Sequence, residues 1–158
     1  MNAELLRSVP FLKNLSEDEL QKFSALLKVH DVAAKERIIE EGKPVNEFHI
    51  VFHGTVHARH ETPEREVLLG RIGPGGFFGE MNLFDPGLGT ASIYAMDKVT
   101  LASVGHEELR EFMSTHPAIG YQIVTALMTG LSRRLRQTNE RFVNTLYWAG
   151  AAAPADHS

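Results

Sequence analysis

The residues best placed to do chemistry lie between Gly70 and Ala95, in the run GRIGPGGFFGEMNLFDPGLGTASIYA. Its glycines let the backbone turn with amides exposed, and Gly79-Glu80-Met81-Asn82-Leu83-Phe84 then has the pattern of a short helical turn. Exposed amides followed by a helix start make a cradle for an anion, because unpaired N–H groups carry the positive ends of the peptide dipoles. Glu80 stands at the head of that turn, beside whatever the cradle holds. Taken alone, Glu80 serves equally well as a loop cap.

A second constellation is His49, His53, His57 and His60. Four-residue spacing would join His49 and His53 on a helix, but the Val, Ile, Phe and Gly54 among them favour strands. On a hairpin about Gly54, His53 and His57 fall on opposite sides of the turn and no HxH pair occurs. The second histidine block of a metal-dependent cupin enzyme, expected after Pro74-Gly75-Gly76, has Gly79 at its spacing. Metal catalysis is therefore the minor alternative, and solvated strand histidines or a pH-sensitive surface are expected. Ser92, Ser103 and Ser114 lack a nucleophile-elbow sequence, and the acidic residues are mostly scattered at helix starts, where capping accounts for them. The sequence reads as a non-enzyme.

The chain that must position these residues has 158 residues, 43% hydrophobic and 23% charged, which fits one domain with one core. A net charge of −4 and a pI near 6.0 give no whole-chain attraction to nucleic acid or to an anionic membrane. With no cysteine, a disulfide framework, a thiolate zinc site and a cysteine nucleophile are excluded. The first residues mix charges among apolar side chains, unlike a signal peptide, and no run approaches the roughly 18 apolar residues of a membrane span. A cytoplasmic protein is expected.

Along the chain, Ser16-Glu17-Asp18-Glu19 has the capping-box spacing, and Leu20, Phe23 and Leu27 follow at helical period, predicting a helix over 16–28. Short β-branched or aromatic runs follow at Arg37–Ile39, Phe48–Phe52, Thr55–His60, Glu66–Leu69, Thr90–Tyr94 and Thr100–Val104. Several short strands with frequent turn signals point to a sandwich or barrel. Glu107–Met113 reads as a short helix and Pro117 opens a long one to about Trp148. On that helix Val124, Met128, Leu131, Leu135, Thr138, Phe142 and Thr145 repeat with 4,3 spacing, the seam of a two-stranded coiled coil, predicting a homodimer through 124–145. The expected organisation is a helical lead-in over 1–28, a barrel over 29–105, helices over 106–149 and a disordered tail over 150–158.

Four ordered elements resemble the cyclic nucleotide-binding domains of the catabolite-activator and kinase-regulatory-subunit superfamily. They are the lead LLRSVPFLKNLSEDELQKFSALL, the two-strand signature EEGKPVNEFHIVFHGTVHA, the cassette FFGEMNLF with TASIYA as its exit strand, and the helix stretch SRRLRQTNERF. The resemblance implies a mainly β double-stranded β-helix, or jelly roll, with flanking helices and a long C-terminal dimerisation helix. It implies a ligand site made by Phe78, Gly79, Glu80, Met81, Asn82, Gly89, Thr90, Ala91, Arg134, Thr138 and Asn139. Glu80 matches the glutamate that accepts the ribose 2′-hydroxyl, and Thr138 and Asn139 match residues that contact the purine across the dimer. Arg134 matches an arginine that ties the helix to that glutamate. No cofactor is implied, and the ligand is cyclic AMP or cyclic GMP.

The sequence departs from the family at one chemically decisive place. Gly89 stands where an arginine neutralises the cyclic phosphate, with Thr90 at the following small residue. Hydrogen bonds to charged groups contribute roughly 1.5–3 kcal/mol, so this loss predicts roughly 10–100-fold weaker binding of a cyclic monophosphate. Arg59, Arg65, Arg71 and Arg134 are the candidate substitutes. A degenerate dimeric interaction module that binds no nucleotide is the alternative. Family members that read DNA carry a helix-turn-helix domain after the long helix; here the sequence stops soon after it, so output through an effector protein rather than DNA is expected. Arg133, Arg134, Arg136 and Arg141 are read as a solvated helix face.

Overall fold

Short β-branched and aromatic runs do form strands in the computed structural model, which describes residues 3–151. They are β1 Lys28–Val32, β2 Arg37–Ile39, β3 Glu47–His53, β4 Val56–Glu61, β5 Glu66–Ile72, β6 Phe77–Phe78, β7 Ser92–Ala95 and β8 Val99–Gly105. The helices are α1 Ala3–Arg7, α2 Glu17–Ser24, α3 Met81–Phe84, α4 His106–Thr115 and α5 Pro117–Ala151, with a 3-10 turn at Pro10–Leu12. Two four-stranded antiparallel sheets result, ordered β1-β8-β3-β6 and β2-β7-β4-β5. This is the mainly β roll with flanking helices that the sequence implies.

The inner faces of both sheets meet in one core. Val51, Phe78, Val99 and Leu101 come from the first sheet and Val56, Ile93 and Ala95 from the second. The N-terminal helices add a second layer, in which Phe23 packs on Phe112 at 5.9 Å and Phe11 meets Phe77 edge-on at 5.5 Å. Burying such rings contributes roughly 1.5–3 kcal/mol each, enough to hold short helices that have little stability alone.

Two local expectations change. The capping box forms, with Ser16 N donating to Glu19 Oε2 at 2.8 Å and Glu19 N to Ser16 Oγ at 3.3 Å, but the helix stops at Ser24. Lys28–Val32 instead pairs antiparallel with β8 as an edge strand of the first sheet. The chain about Gly54 is also not a hairpin: β3 and β4 belong to different sheets, and the turn carries the chain from one to the other. There Gly54 has φ +78, and a Cβ would press on Asp97 Oδ1 at 2.5 Å, the carboxylate that accepts from Thr55 N at 2.9 Å.

The chain divides into two units, one reaching to Ile123 and one from Val124 on. The first holds both sheets and α1 to α4. The second is the remainder of α5, whose seam residues Met128, Leu135 and Phe142 are 57%, 62% and 63% exposed in the single chain. Thr145 on the same seam donates its hydroxyl to the carbonyl of Arg141 at 2.8 Å, so the polar group is satisfied within its own helix. Among the described residues no helix is long and apolar enough to cross a membrane. Beyond Ala151 the tail expected to be disordered lies outside the described residues.

Candidate functional site

The glycine-rich segment leaves the first sheet at β6, where Phe77 registers with Ile50 and Phe78 with His49. Phe78 is buried in the core and lies flat against His49, ring centroids 4.7 Å apart. Gly79 then turns with φ +82, and a Cβ on it would collide with the carbonyl oxygen of Glu47. Only glycine meets both conditions. Glu80 follows in helical conformation as the residue before α3, and it is 2% exposed. A carboxylate so deeply buried is uncommon outside paired or functional settings.

Past α3 the chain returns beside its own start. Asn82 Nδ2 donates to the carbonyl of Leu88 at 3.4 Å, and the Thr90 hydroxyl points at Met81 Sδ, 4.0 Å away. Met81 and Thr90 are exposed, Asn82 and Ala91 half-buried. Thus residues 79–82 and 90 form one cluster, while Phe78 contributes its ring to the core beneath.

Gly89 is buried and closed on both sides. Its N–H donates to the carbonyl of Lys43 at 2.8 Å and its own carbonyl accepts from Gly42 N at 2.8 Å. The Pro44–Leu88 bridge continues this pairing. A Cβ at position 89 would meet the Glu40 carbonyl and Val45 Cγ2, each at 3.2 Å, and Ile39 Cγ2 at 3.4 Å.

Three of the candidate arginine substitutes lie on β4, on β5 and in the turn between them. Arg59 registers with Ser92 on the face of β4 opposite to Ala58. Its guanidinium is 2.9 Å from Glu66 and 5.2 Å over the Tyr94 ring. Arg71 registers with His57, alternate to Ile72, and burial, helped by the nearby charges of Arg71 and Arg59, lowers the proton affinity of His57. Arg65 belongs to the turn between β4 and β5, its N–H held by Thr62 Oγ1 at 3.1 Å. On this outer face Tyr94 donates to Glu61 at 2.5 Å, which holds the Glu61 carboxyl below its ordinary range.

Sequence reasoning missed the residues that brace the segment. His106, at the start of α4, places Nε2 at 2.8 Å from the carbonyl of Gly79. A carbonyl only accepts, so Nε2 carries the proton, and burial of the ring lowers its pKa below the ordinary value. Four residues on, Arg110 donates to the carbonyl of Leu83 at 2.7 Å. One face of α4 therefore holds both ends of the 79–83 turn. The available signal was the 106/110 spacing directly after β8.

The histidine series scatters. His49 is buried with Nδ1 unpartnered, and burial pushes its pKa down to about 4, so its 3.7 Å approach to Glu47 is not an ion pair at neutral pH. His60 pairs with Glu41 at 2.6 Å, and His53 is exposed. Among the described residues no three His, Cys, Asp or Glu side chains gather as a metal group. Arg134, Thr138 and Asn139 lie on α5 in the unit from Val124 on, with Arg134 and Thr138 one helical turn apart on one face.

The sequence profile described as "Cyclic nucleotide-binding domain" matches residues 29–116. The chain is 28% identical over 145 residues, 91% of its length and 63% of the relative's, to a CRP-like cAMP-activated global transcriptional regulator of Mycobacterium tuberculosis. It thus spans less than two thirds of that regulator. The solved N-terminal domain of a transcriptional regulator from Streptomyces coelicolor A3(2) shares 28% identity at a TM-score of 0.69, covering 98% of this chain and 99% of that one. A cyclic nucleotide-binding domain from Methylobacillus flagellatus shares the fold at a TM-score of 0.80 with 19% identity, over 90% and 81% of the two chains. The profile runs from β1 to the end of α4, through the glycine turn, Glu80 and the α4 braces, and the chain belongs to the cyclic nucleotide-binding domain family.

Proposed function

We propose that this protein is a regulatory sensor for a ligand of the cyclic AMP or cyclic GMP class, recognised through its ribose and base. The observation that carries this reading is the buried Glu80 carboxylate at the head of α3, set by a turn that only glycine can make. Glu80 accepts the ribose 2′-hydroxyl and residues 79–82 and 90–91 border the sugar, while the base contact that the family assigns to Thr138 and Asn139 comes across the dimer. Gly89 has both backbone groups used internally.

Output runs through α4. Because His106 and Arg110 hold the carbonyls of Gly79 and Leu83, a shift of the cassette pulls α4 with it. His116 alone separates α4 from α5, so the start of the long helix follows. The ligand acts only by its different affinity for two helix positions. The module works as a homodimer through 124–145 in the cytoplasm, performs no catalysis and signals to an effector protein.

The absence of native cysteine permits a direct test. Spin labels on Glu64→Cys and Arg136→Cys report the barrel-to-helix distance with and without saturating ligand. A shifted distance distribution is expected; identical distributions would refute the relay. The second reading, a dimeric interaction module with an unused pocket, draws on Gly89, and calorimetric titration separates it by giving no heat with any ligand at millimolar concentration.

A further inference from the structure

Resting on the proposed pairing through 124–145, we infer that residues 142–148 of α5 carry a second self-association surface, on which two dimers overlap their helix ends to make a tetramer, because the helix there is apolar around most of its circumference.

The change happens within one turn. On the side of α5 away from the seam, Arg136 and Val143 share one heptad row, and Arg133, Glu140 and Tyr147 share another. Each row thus passes from charged to apolar. Val143 is 61% and Tyr147 71% exposed in the single chain. Leu146 and Trp148 flank the seam, both exposed, and the Trp148 ring meets Tyr147 edge-on at 5.8 Å, so the two aromatics form one patch. A two-stranded coiled coil covers the seam and part of its flanks, and leaves Val143 and Tyr147 in water. A helix apolar all round belongs in an interior, which here needs neighbours on more than one side.

A second dimer fits by charge and by area. Between Arg141 and Asp156 the sequence has no charged residue, so two such ends meet without a buried charge. An antiparallel overlap about Thr145 and Leu146 sets the Arg141 residues of the two dimers about 14 Å apart along the axis, at about 1.5 Å of rise per residue, and physiological salt screens charges beyond about 8 Å. Each dimer offers the patch twice. At roughly 150–250 Å² for a buried aromatic, the tyrosines and tryptophans of two dimers bring together about 1,000 Å², the lower bound of a specific interface. An interface of that size is weak, so the dimer prevails on dilution.

Trp148 is the one tryptophan of the chain, so its fluorescence reports this surface alone. Sedimentation equilibrium and Trp148 emission of the full chain, followed from about 1 to about 200 µM, test the inference over the range where weak association shows. A dimer should pass to a tetramer as concentration rises, with the emission shifting to the blue in step. Tyr147→Glu should weaken the tetramer at least about 100-fold, since four copies of the ring leave the interface, and should keep the dimer. Val143→Glu should act the same way, and Tyr147→Phe should retain the tetramer. A dimer at every concentration with unshifted emission overturns the inference and leaves the 124–145 seam standing, as does a tetramer that both glutamate variants leave intact. A blue shift seen only with vesicles of phosphatidylserine and phosphatidylcholine also overturns it, by assigning the patch to a lipid surface. A monomer at every concentration overturns both the inference and the seam.

Discussion

His106 Nε2 donates to the carbonyl of Gly79 across 2.8 Å, joining the first residue of α4 to the glycine that launches the cassette. With Arg110 on Leu83 one turn later, the brace has the same four-residue pitch on both partners. His106→Gln preserves an N–H donor and should retain most stability. His106→Leu leaves a carbonyl unsatisfied and should lose about 1–3 kcal/mol in urea denaturation. Arg110→Met should cost a similar amount and leave the barrel's circular dichroism unchanged.

Acid should weaken the fold through His49. Its unfolded pKa is 6.5 and its folded value about 4, so the folded chain binds the proton less readily. Stability is fully present above pH 6.5 and falls as pH drops toward 4, by about 3 kcal/mol from this group. His106, also lowered by burial, adds in the same direction. His49→Phe keeps the stack on Phe78 and removes the unpartnered Nδ1, so the difference in stability between variant and wild type should widen over that window. A constant difference would refute the assignment.

Gly79→Ala combines a left-handed backbone with a collision against the Glu47 carbonyl. It should cost roughly 2–5 kcal/mol by chemical denaturation. Gly42→Ala, with a similar φ of +77 and nothing within 4 Å of its Cβ, should cost less than half as much. The contrast isolates the close approach from the backbone strain.

Sedimentation should find a dimer that Leu135→Glu dissociates. Leu135 is exposed in the single chain, and burying it in both copies contributes about 3–6 kcal/mol per dimer. The variant should weaken association roughly 100- to 10,000-fold while the barrel's thermal transition stays. Association unchanged by both Leu135→Glu and Phe142→Glu would exclude the 124–145 seam.

Wherever local chemistry decides, the residues were legible in advance. The capping box of Ser16 and Glu19, the glycine-bounded strands, the Gly79-Glu80 turn and the glycine at position 89 all follow from residue type and spacing. The bounds of α2 were not, because Leu27 continues a helical period while its neighbours 28–32 pair with β8 far along the chain. β1 itself is exposed except at Val32, so it carries no alternating pattern to read.

Sequence by itself determined that this is a cysteine-free β roll with a glycine-built cassette and a carboxylate at its head. Tertiary structure alone decided that β3 and β4 part into different sheets, that Gly89 is sealed by Gly42 and Lys43, and that α4 grips both ends of the cassette. The physical reason is range: propensity and periodicity act over one turn or one pleat, whereas a hydrogen bond from His106 to Gly79 spans 27 residues and exists only once the core has brought them together.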